Sequence, residues 1–372
     1  MSKSERRTVE RERSDSGWAE IETLCDDLKR MIGGLKRLRA GVAIFGSGYQ
    51  GGLLYDRLTK EGVTVKYFID NDTAKQGSTA HGTRIVGPTA LRSDPPDLIF
   101  IAARNAVPQI KAQLAEEGRT AISSESFMVV RDFADFAQVR GLLADERSRQ
   151  VYDNVLMARL TDDDRHYVDV FEANQYFALP RFAVPARDHF VDAGAFVGDT
   201  IERLLWASGG YVAQIYAFEP GPAQATALRR RVLRLVEEWA LANEQVECLQ
   251  AGLGAVSGTQ RFSIKPGALS AASFKTSQTS EKIEVYALDD FLNGRPVTFI
   301  KADVEGMELE LLAGARKTIQ SFRPRLALSV YHDPTHLYAI PLFVNGLVPE
   351  YRMAIRHHAP NSFETVLYCW IA

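Results

Sequence analysis

The sequence predicts an α/β chain built from two Rossmann-like units, and three observations carry that prediction. From residue 40 to the C-terminus, short apolar runs alternate with segments of helical period, the pattern of parallel strands covered by helices. Two glycine turns each follow an apolar run and precede a helix, at Val42-Ala-Ile-Phe-Gly-Ser-Gly-Tyr-Gln-Gly51 and at His189-Phe-Val-Asp-Ala-Gly-Ala-Phe-Val-Gly-Asp-Thr200. In each unit an acidic residue, Asp70 or Glu219, ends the next apolar run about 20 residues beyond the last glycine, where a carboxylate can accept ribose hydroxyls.

Composition sets the outer bounds. A chain of 372 residues can hold two or three domains with real cores, and 46% apolar with 24% charged residues reads as globular. Lys plus Arg is 44 and Asp plus Glu is 47, a formal charge of −3 with no basic block, so nucleic acid is not an expected partner. Cys25, Cys248 and Cys369 are too scattered for a disulfide framework or a zinc site, which fits a reduced compartment. With no apolar run long enough for a signal peptide or a membrane span, the expected location is the cytoplasm.

Taken in order, residues 1–16 are charged and nearly free of large apolar side chains, and are expected to be a disordered arm. From Trp18, the spacing of Ile21, Leu24, Leu28, Ile32 and Leu35 predicts an amphipathic helix ending at the basic Lys36, Arg37 and Arg39, packed on its own domain or on a second subunit in a homo-oligomer. The arm and this helix make up 1–39. Residues 40–128 read as a smaller Rossmann-like unit, with strands at 42–45, 63–69, 98–102 and 120–123 and helices through 53–58 and 110–114. A helical connector spans 129–185. The unit at 186–372 has strands near 189–193, 214–218, 245–250, 297–303, 325–331, 350–357 and 364–371, and a sheet-covering helix within 222–243. Segments 261–264 and 283–288 look like an added hairpin around a Ser-rich loop.

The two glycine turns differ in chemistry. The first is a G-x-G-x-x-G, with Gly46, Gly48, Gly51 and Asp70 as a candidate nucleotide site, yet the unit is nearer to one mononucleotide half than to a whole dinucleotide fold. The second reads Asp192-x-Gly194-x-x-x-Gly198 and lacks the spacing that cradles a pyrophosphate. An acidic turn with a ribose carboxylate at Glu219 suits S-adenosylmethionine, which carries a sulfonium, an ammonium and a ribose diol.

With Leu142-Leu-Ala-Asp-Glu-Arg-Ser148, Asn174-Gln-Tyr-Phe177, the second turn, Phe218-Glu-Pro220, Phe299-Ile-Lys-Ala-Asp-Val-Glu-Gly-Met-Glu308 and Leu328-Ser-Val-Tyr-His332 in one order, residues from about 140 to 372 resemble the FkbM family of S-adenosylmethionine-dependent methyltransferases. The resemblance implies a class I methyltransferase fold, a seven-stranded sheet whose last strand runs antiparallel, and O-methylation of hydroxyls on sugars, glycans or natural products. It implies that Asp192, Gly194 and Gly198 line the methionine end, with Ala195, Asp199 and Thr200 of the same turn also cofactor-binding, that Glu219 holds the ribose, and that Gln250, Ala251 and Gly252 edge the adenine. Asp303, Glu305 and His332 are the catalytic candidates. Asp303 and Glu305 would also suit a helix start without chemistry, and Lys301 is either a substrate contact or a salt-bridge partner. A divalent cation held by Asp303 and Asp333 is an alternative to a general base. The first unit resembles the small domain at the front of bacterial sugar acetyltransferases, which implies a nucleotide or nucleotide-sugar ligand; a structural or dimerising domain that has lost its ligand, and an NAD site, are the alternatives. The rival functions are an NAD-dependent oxidoreductase, for which no Tyr-x-x-x-Lys is found, and a nucleotide-sensing scaffold without turnover.

Overall fold

The computed structural model describes residues 3–35, 38–264, 272–273 and 281–372. The chain divides into two compact units, Met1–Ala134 with Val155–His166, and Asp135–Asn154 with Tyr167–Ala372. The stretch 129–185, expected as a separate connector, is therefore divided between them. Its main helices are Phe133–Leu142 and Glu146–Thr161, and the break has a local cause. Asp145 accepts the Ser148 backbone N–H at 2.7 Å and the Ser148 hydroxyl at 2.9 Å, an N-cap that starts a new helix. Among the described residues no helix is long and apolar enough to cross a membrane.

The first unit holds a six-stranded sheet of β1 (Val42–Phe45), β2 (Val65–Ile69), β3 (Thr79–Ala80), β4 (Thr83–Val86), β5 (Leu98–Ile101) and β6 (Ile122–Ser123), in the order β3-β4-β2-β1-β5-β6. Only the β3–β4 pairing is antiparallel. Alternation along β1 sends Val42 and Ile44 to one core, with Leu54 and Leu58 of the helix Tyr49–Lys60. Ala43 and Phe45 go to the other, with Ile110 and Leu114 of the helix Val107–Glu116. A strand buried on both faces reads as a continuous apolar run, which is why VAIF carries no polar residue.

One helix runs Lys3–Ile32, so the backbone of the arm expected to be disordered is helical. Glu and Arg dominate that arm, and both are straight-chain helix formers. The amphipathic part packs on its own unit: Ile21 and Cys25 are buried, and Leu28, Ile32 and Leu35 lie against the core. Lys36 and Arg37, expected at its basic end, lie outside the described residues.

The second unit is built on a seven-stranded sheet of β7 (Asp188–Ala193), β8 (Val212–Phe218), β9 (Val246–Leu249), β14 (Phe299–Ala302), β15 (Arg325–Ser329), β16 (Arg352–His357) and β17 (Thr365–Trp370), in the order β16-β17-β15-β14-β7-β8-β9. The last strand, β17, runs antiparallel to both neighbours, and β14, β15, β7, β8 and β9 are mutually parallel. Ile201, Leu204 and Leu205 of the helix Asp199–Ser208 and Leu228, Val232 and Leu235 of the helix Pro222–Glu238 bury their apolar stripes in the core that includes Phe190, Ile215 and Phe299. A second, four-stranded sheet, β10-β13-β11-β12, joins β10 (Ala251–Leu253), β11 (Gly258–Ile264), β12 (Ala272–Ser273) and β13 (Glu281–Tyr286). β11 and β13 pair antiparallel like the expected hairpin, and most of its Ser-rich loop lies outside the described residues.

Chain order reverses around β7, which has β14 on one side and β8 on the other. In open α/β sheets the crevice beyond the carboxyl ends of strands at such a switch point is where ligands bind.

Candidate active site

At that crevice a cavity of about 590 Å³ is walled by residues that follow β7, β8, β14 and β15, together with β10 and the segments 175–176 and 359–364. Of the residues singled out from the sequence, Gly194, Asp199, Thr200, Glu219, Ala251, Gly252, Lys301, Asp303, Glu305 and His332 lie on its wall. Asp192, Ala195, Gly198 and Gln250 do not, and each has a physical reason.

Asp192 is wholly buried and paired with Lys301 Nζ at 3.0 Å. The two residues are cross-strand partners in the β7–β14 register, so the sheet itself sets the pair. The same ammonium donates to the carbonyl of Gly194 at 2.6 Å and sits 5.3 Å from the centre of the Tyr176 ring. Burial alone would lower the Lys301 pKa, but the carboxylates of Asp192 and Asp303 outweigh it and raise it, so the lysine is held charged. Asp192 thus connects to the Gly194 turn through Lys301, behind the cavity wall. Ala195 is core, its N–H bonded to Phe218 O at 2.9 Å. Gly198, at φ +83°, is the left-handed N-cap of Asp199–Ser208, packed against Leu228. Gln250 lies between β9 and β10 and points to solvent.

Gly194 has no substitute. Its φ is +76°, and an added Cβ would lie 1.8 Å from the Asp303 carbonyl oxygen, so only glycine lets the β7 turn approach the β14 turn so closely. Across the turn, Glu219 accepts the N–H of Gly221 at 2.8 Å on one oxygen and that of Phe196 at 3.0 Å on the other. Burial pushes its carboxyl up, and these two donors pull it back. They also fix the orientation of a buried carboxylate on the cavity wall, with lone pairs left for further donors. Phe218 and Pro220, which flank Glu219 in the sequence, and Leu253, which carried no sequence signal, give the neighbouring wall an apolar character.

The other side of the β7 turn is acidic and hydrogen-bonded. Asp303 accepts from the hydroxyl of Tyr176 at 2.8 Å and that of Tyr331 at 3.3 Å. Burial pushes both phenols far up, so both remain donors. Tyr176 reaches Asp303 from a segment in which Asn174 and Tyr176 both have positive φ, +64° and +67°, a backbone cost that recurs at functional sites. His332 Nε2 lies 3.5 Å from Asp303, and its Nδ1 pairs with Glu308 at 2.8 Å. Glu308 is fully buried, accepts the Val304 N–H at 3.0 Å, and lies 3.1 Å from His336. The acid that organises this helix start is therefore Glu308, which leaves Asp303 facing the cavity. Burial would lower the His332 pKa, yet Glu308, Asp303 and Glu305 together carry it up to about 9. Glu305, at the rim with φ +54°, is pushed up to about 7 by desolvation and by the carboxylates of Asp303, Glu308 and Glu364, against the pull of His332.

The cation pair expected from Asp303 and Asp333 is not assembled. Asp333 Oδ1 accepts the N–H and hydroxyl of Thr335 at 2.8 and 2.6 Å, and Asp333 is not on the cavity wall. The acidic and histidine side chains that do gather among the described residues are Asp303, Glu308 and His332, within 4.8 Å of one another. Of the three, Glu308 and His332 are hydrogen-bonded to each other at 2.8 Å, and Asp303 stands 3.5 Å from the other nitrogen of the same ring.

In the first unit Gly46, Gly48, Gly51 and Asp70 come together where β1 and β2 end. Asp70 is already engaged by the Ser47 N–H at 3.1 Å, the Ser47 hydroxyl at 2.5 Å, the Asp72 N–H at 3.0 Å and Lys75 at 3.1 Å. Desolvation would raise its pKa, but these donors bring it down to about 2. An added Cβ at Gly51 would lie 2.0 Å from Gly46 O, so this glycine serves close packing of helix on turn.

Residues 192–359 match the methyltransferase FkbM domain, so the second unit carries a methyltransferase domain of that family. Residues 39–122 match the family described as C2185-like, N-terminal. None of the curated proteins compared with the chain matches it. Among solved structures, a methyltransferase FkbM from Methylobacillus flagellatus KT is similar with 23% identity, 96% of this chain and 98% of that chain covered, and a TM-score of 0.58, which shows a shared fold. Fibrillarin from Aeropyrum pernix, in complex with natively bound S-adenosyl-L-methionine, is similar at 12% identity over 52% of this chain and 70% of that chain, with a TM-score of 0.33.

Two measurements check the electrostatics. Replacing Asp192 by Asn strands a buried ammonium, and chemical denaturation of the full chain should show a loss of about 3–5 kcal/mol in the second unit. A loss below about 1 kcal/mol would remove Lys301 from its central place. For His332 the folded pKa is raised, so its contribution to stability is complete below its ordinary 6.5 and is lost as the pH rises through about 9. An NMR titration should find the ring protonating near pH 9, falling toward 6.5 in Glu308→Gln; an unchanged value in that variant would contradict the pairing.

Proposed function

We propose that the methyltransferase domain at 192–359 uses S-adenosylmethionine to methylate a hydroxyl oxygen, with a sugar, glycan or hydroxylated natural product as acceptor. The observation that carries this reading is the two-sided cavity at the β7 turn: a fixed, buried carboxylate beside an apolar strip at Glu219, and a hydrogen-bonded acid at Asp303 on the opposite flank. Its volume of about 590 Å³ lies within the range of cofactor sites. The residues present fit the group. Glu219 would take the two ribose hydroxyls, Ala251, Gly252 and Leu253 would edge the base, and the side-chain-free turn at Gly194 would leave room for the methionine portion. Bound there, S-adenosylmethionine would supply an electrophilic methyl group carried on a sulfonium.

The chain's own part is to hold the acceptor and take its proton. An alkyl hydroxyl is a weak nucleophile until its proton has somewhere to go, and Asp303 presents a carboxylate whose orientation is fixed by two tyrosine hydroxyls. His332, charged and anchored by Glu308, stands 3.5 Å from that carboxylate. Holding a nucleophile in line can supply roughly 7–11 kcal/mol, whereas a general base adds on the order of 10²- to 10⁴-fold in rate. Positioning by the Tyr176 and Tyr331 side of the cavity is thus the larger contribution, and Asp303 the smaller one. Glu305 stands at the rim, placed to meet an arriving acceptor.

Two substitutions separate binding from chemistry. Glu219→Gln keeps the shape and removes the charge, so calorimetry should show S-adenosylmethionine binding weakened by about 1–3 kcal/mol. Unchanged affinity would place the ribose elsewhere. Asp303→Asn should lower turnover about 100-fold or more, measured as methyl transfer to an acceptor found by mass-gain screening, with cofactor affinity held within a few fold. Full activity in that variant would move the base to another residue.

A further inference from the structure

Beside the active-site cavity lies an open groove of about 730 Å³ with a different character. Its wall includes Phe171, Asn174, Gln175, Arg203, Trp206 and His358. Two of its aromatic rings are left in solvent: Trp206 is 71% exposed and Phe171 50%. Exposed large aromatics in one concavity mark a binding surface more often than a packing accident. Arg203 and Trp206 belong to the helix that follows the Gly198 turn, three residues apart and so on one face. Among the described residues no carboxylate lies within ion-pair distance of Arg203, and nothing accepts the Trp206 indole N–H. The acidic member of the wall, Glu172, is already matched by Arg147 at 2.7 Å and Arg356 at 3.4 Å.

Gln175 joins the groove to the active site, because it lies on the wall of both. Asn174 before it faces the groove, and Tyr176 after it donates to Asp303. The two positive-φ residues therefore bracket the one side chain shared by the two cavities. That continuity makes the groove a place for the part of an acceptor that does not react. The chemistry on offer is an aromatic face for an apolar ring face, an amide and an indole N–H for hydroxyls, and one unmatched guanidinium for one negative charge. A dianionic phosphate would find a single cation with a carboxylate nearby, whereas a singly charged carboxylate matches it.

We propose that this groove is an acceptor subsite for an acidic saccharide, in which Trp206 and Phe171 receive sugar rings and Arg203 a uronate carboxylate next to the ring presented to Asp303. This rests on the methyl-transfer reading of the neighbouring cavity but is read out by binding alone. The probe is galacturonic acid and its di-, tri- and tetramer, titrated into the full chain saturated with S-adenosylhomocysteine, with maltose and maltotetraose as neutral controls. Affinity for the acidic trimer should exceed that for the monomer by about tenfold or more, the equivalent of one good contact. Trp206→Ala should remove most of this length dependence and Trp206→Phe retain it, while Arg203→Gln should bring the acidic and neutral series together. S-adenosylhomocysteine affinity should be unchanged in all three, since neither residue lies on the cofactor cavity. Length-independent binding, or a trimer affinity unaffected by Trp206→Ala, overturns the subsite. Equal affinity for both series in the unsubstituted chain overturns the acidic specificity. Length-dependent binding with no methyl transfer to any oligomer would leave the subsite standing and count against the methyl-transfer reading instead.

Discussion

One buried ammonium organises the candidate site. Lys301 on β14 faces Asp192 on β7 across the parallel register, holds the Gly194 carbonyl at 2.6 Å, and lies under the Tyr176 ring that reaches Asp303. Removing an ion pair of this kind entirely can leave stability unchanged, because desolvation offsets most of the attraction. Its worth is therefore geometric. It fastens the turn after β7 to the turn after β14, and those turns carry the backbone and side chains on either flank of the cavity. Gly194 makes the approach sterically possible, and Lys301 makes it electrostatically stable.

Seen from that lysine, the acidic residues sort into two kinds. Asp192 and Glu308 are buried and matched, the first by Lys301 and the second by His332 and His336. They are internal supports. Glu219, Asp303 and Glu305 sit on the cavity wall, where their remaining lone pairs meet whatever enters. Methyl transfer asks little of the protein beyond placing two partners in line and removing a proton, and this division of labour supplies both.

Much of this was legible in the sequence, and the parts that were not share a reason. The alternation of apolar runs located every strand of the seven-stranded sheet to within about three residues, because strands covered by helices are predominantly apolar. The D-x-G turn and Glu219 were visible because glycine and an acid at fixed spacing leave a local mark. Asp192 carries the same local mark, and only the β7–β14 register shows that it faces a lysine 109 residues later in the chain. Tyr176, Tyr331 and Glu308 stood inside the strings that carry the resemblance but were given no role, and Glu364 stood in none, since tyrosines and acids are common and their meeting depends on strand order. The quoted Asn174-Gln-Tyr-Phe177 string held a clue in its Asn and Tyr, which adopt left-handed backbone, but the sequence could not say toward what they turn.

The central claim is that one cavity joins a ribose carboxylate at Glu219 to a proton acceptor at Asp303 across the β7 turn. A crystal structure of the full chain with S-adenosylhomocysteine tests it most directly. The account predicts both ribose hydroxyls within hydrogen-bond distance of Glu219 and the thioether sulfur on the Asp303 side of Gly194. A nucleoside bound away from Glu219, or a sulfur directed away from Asp303, would contradict it.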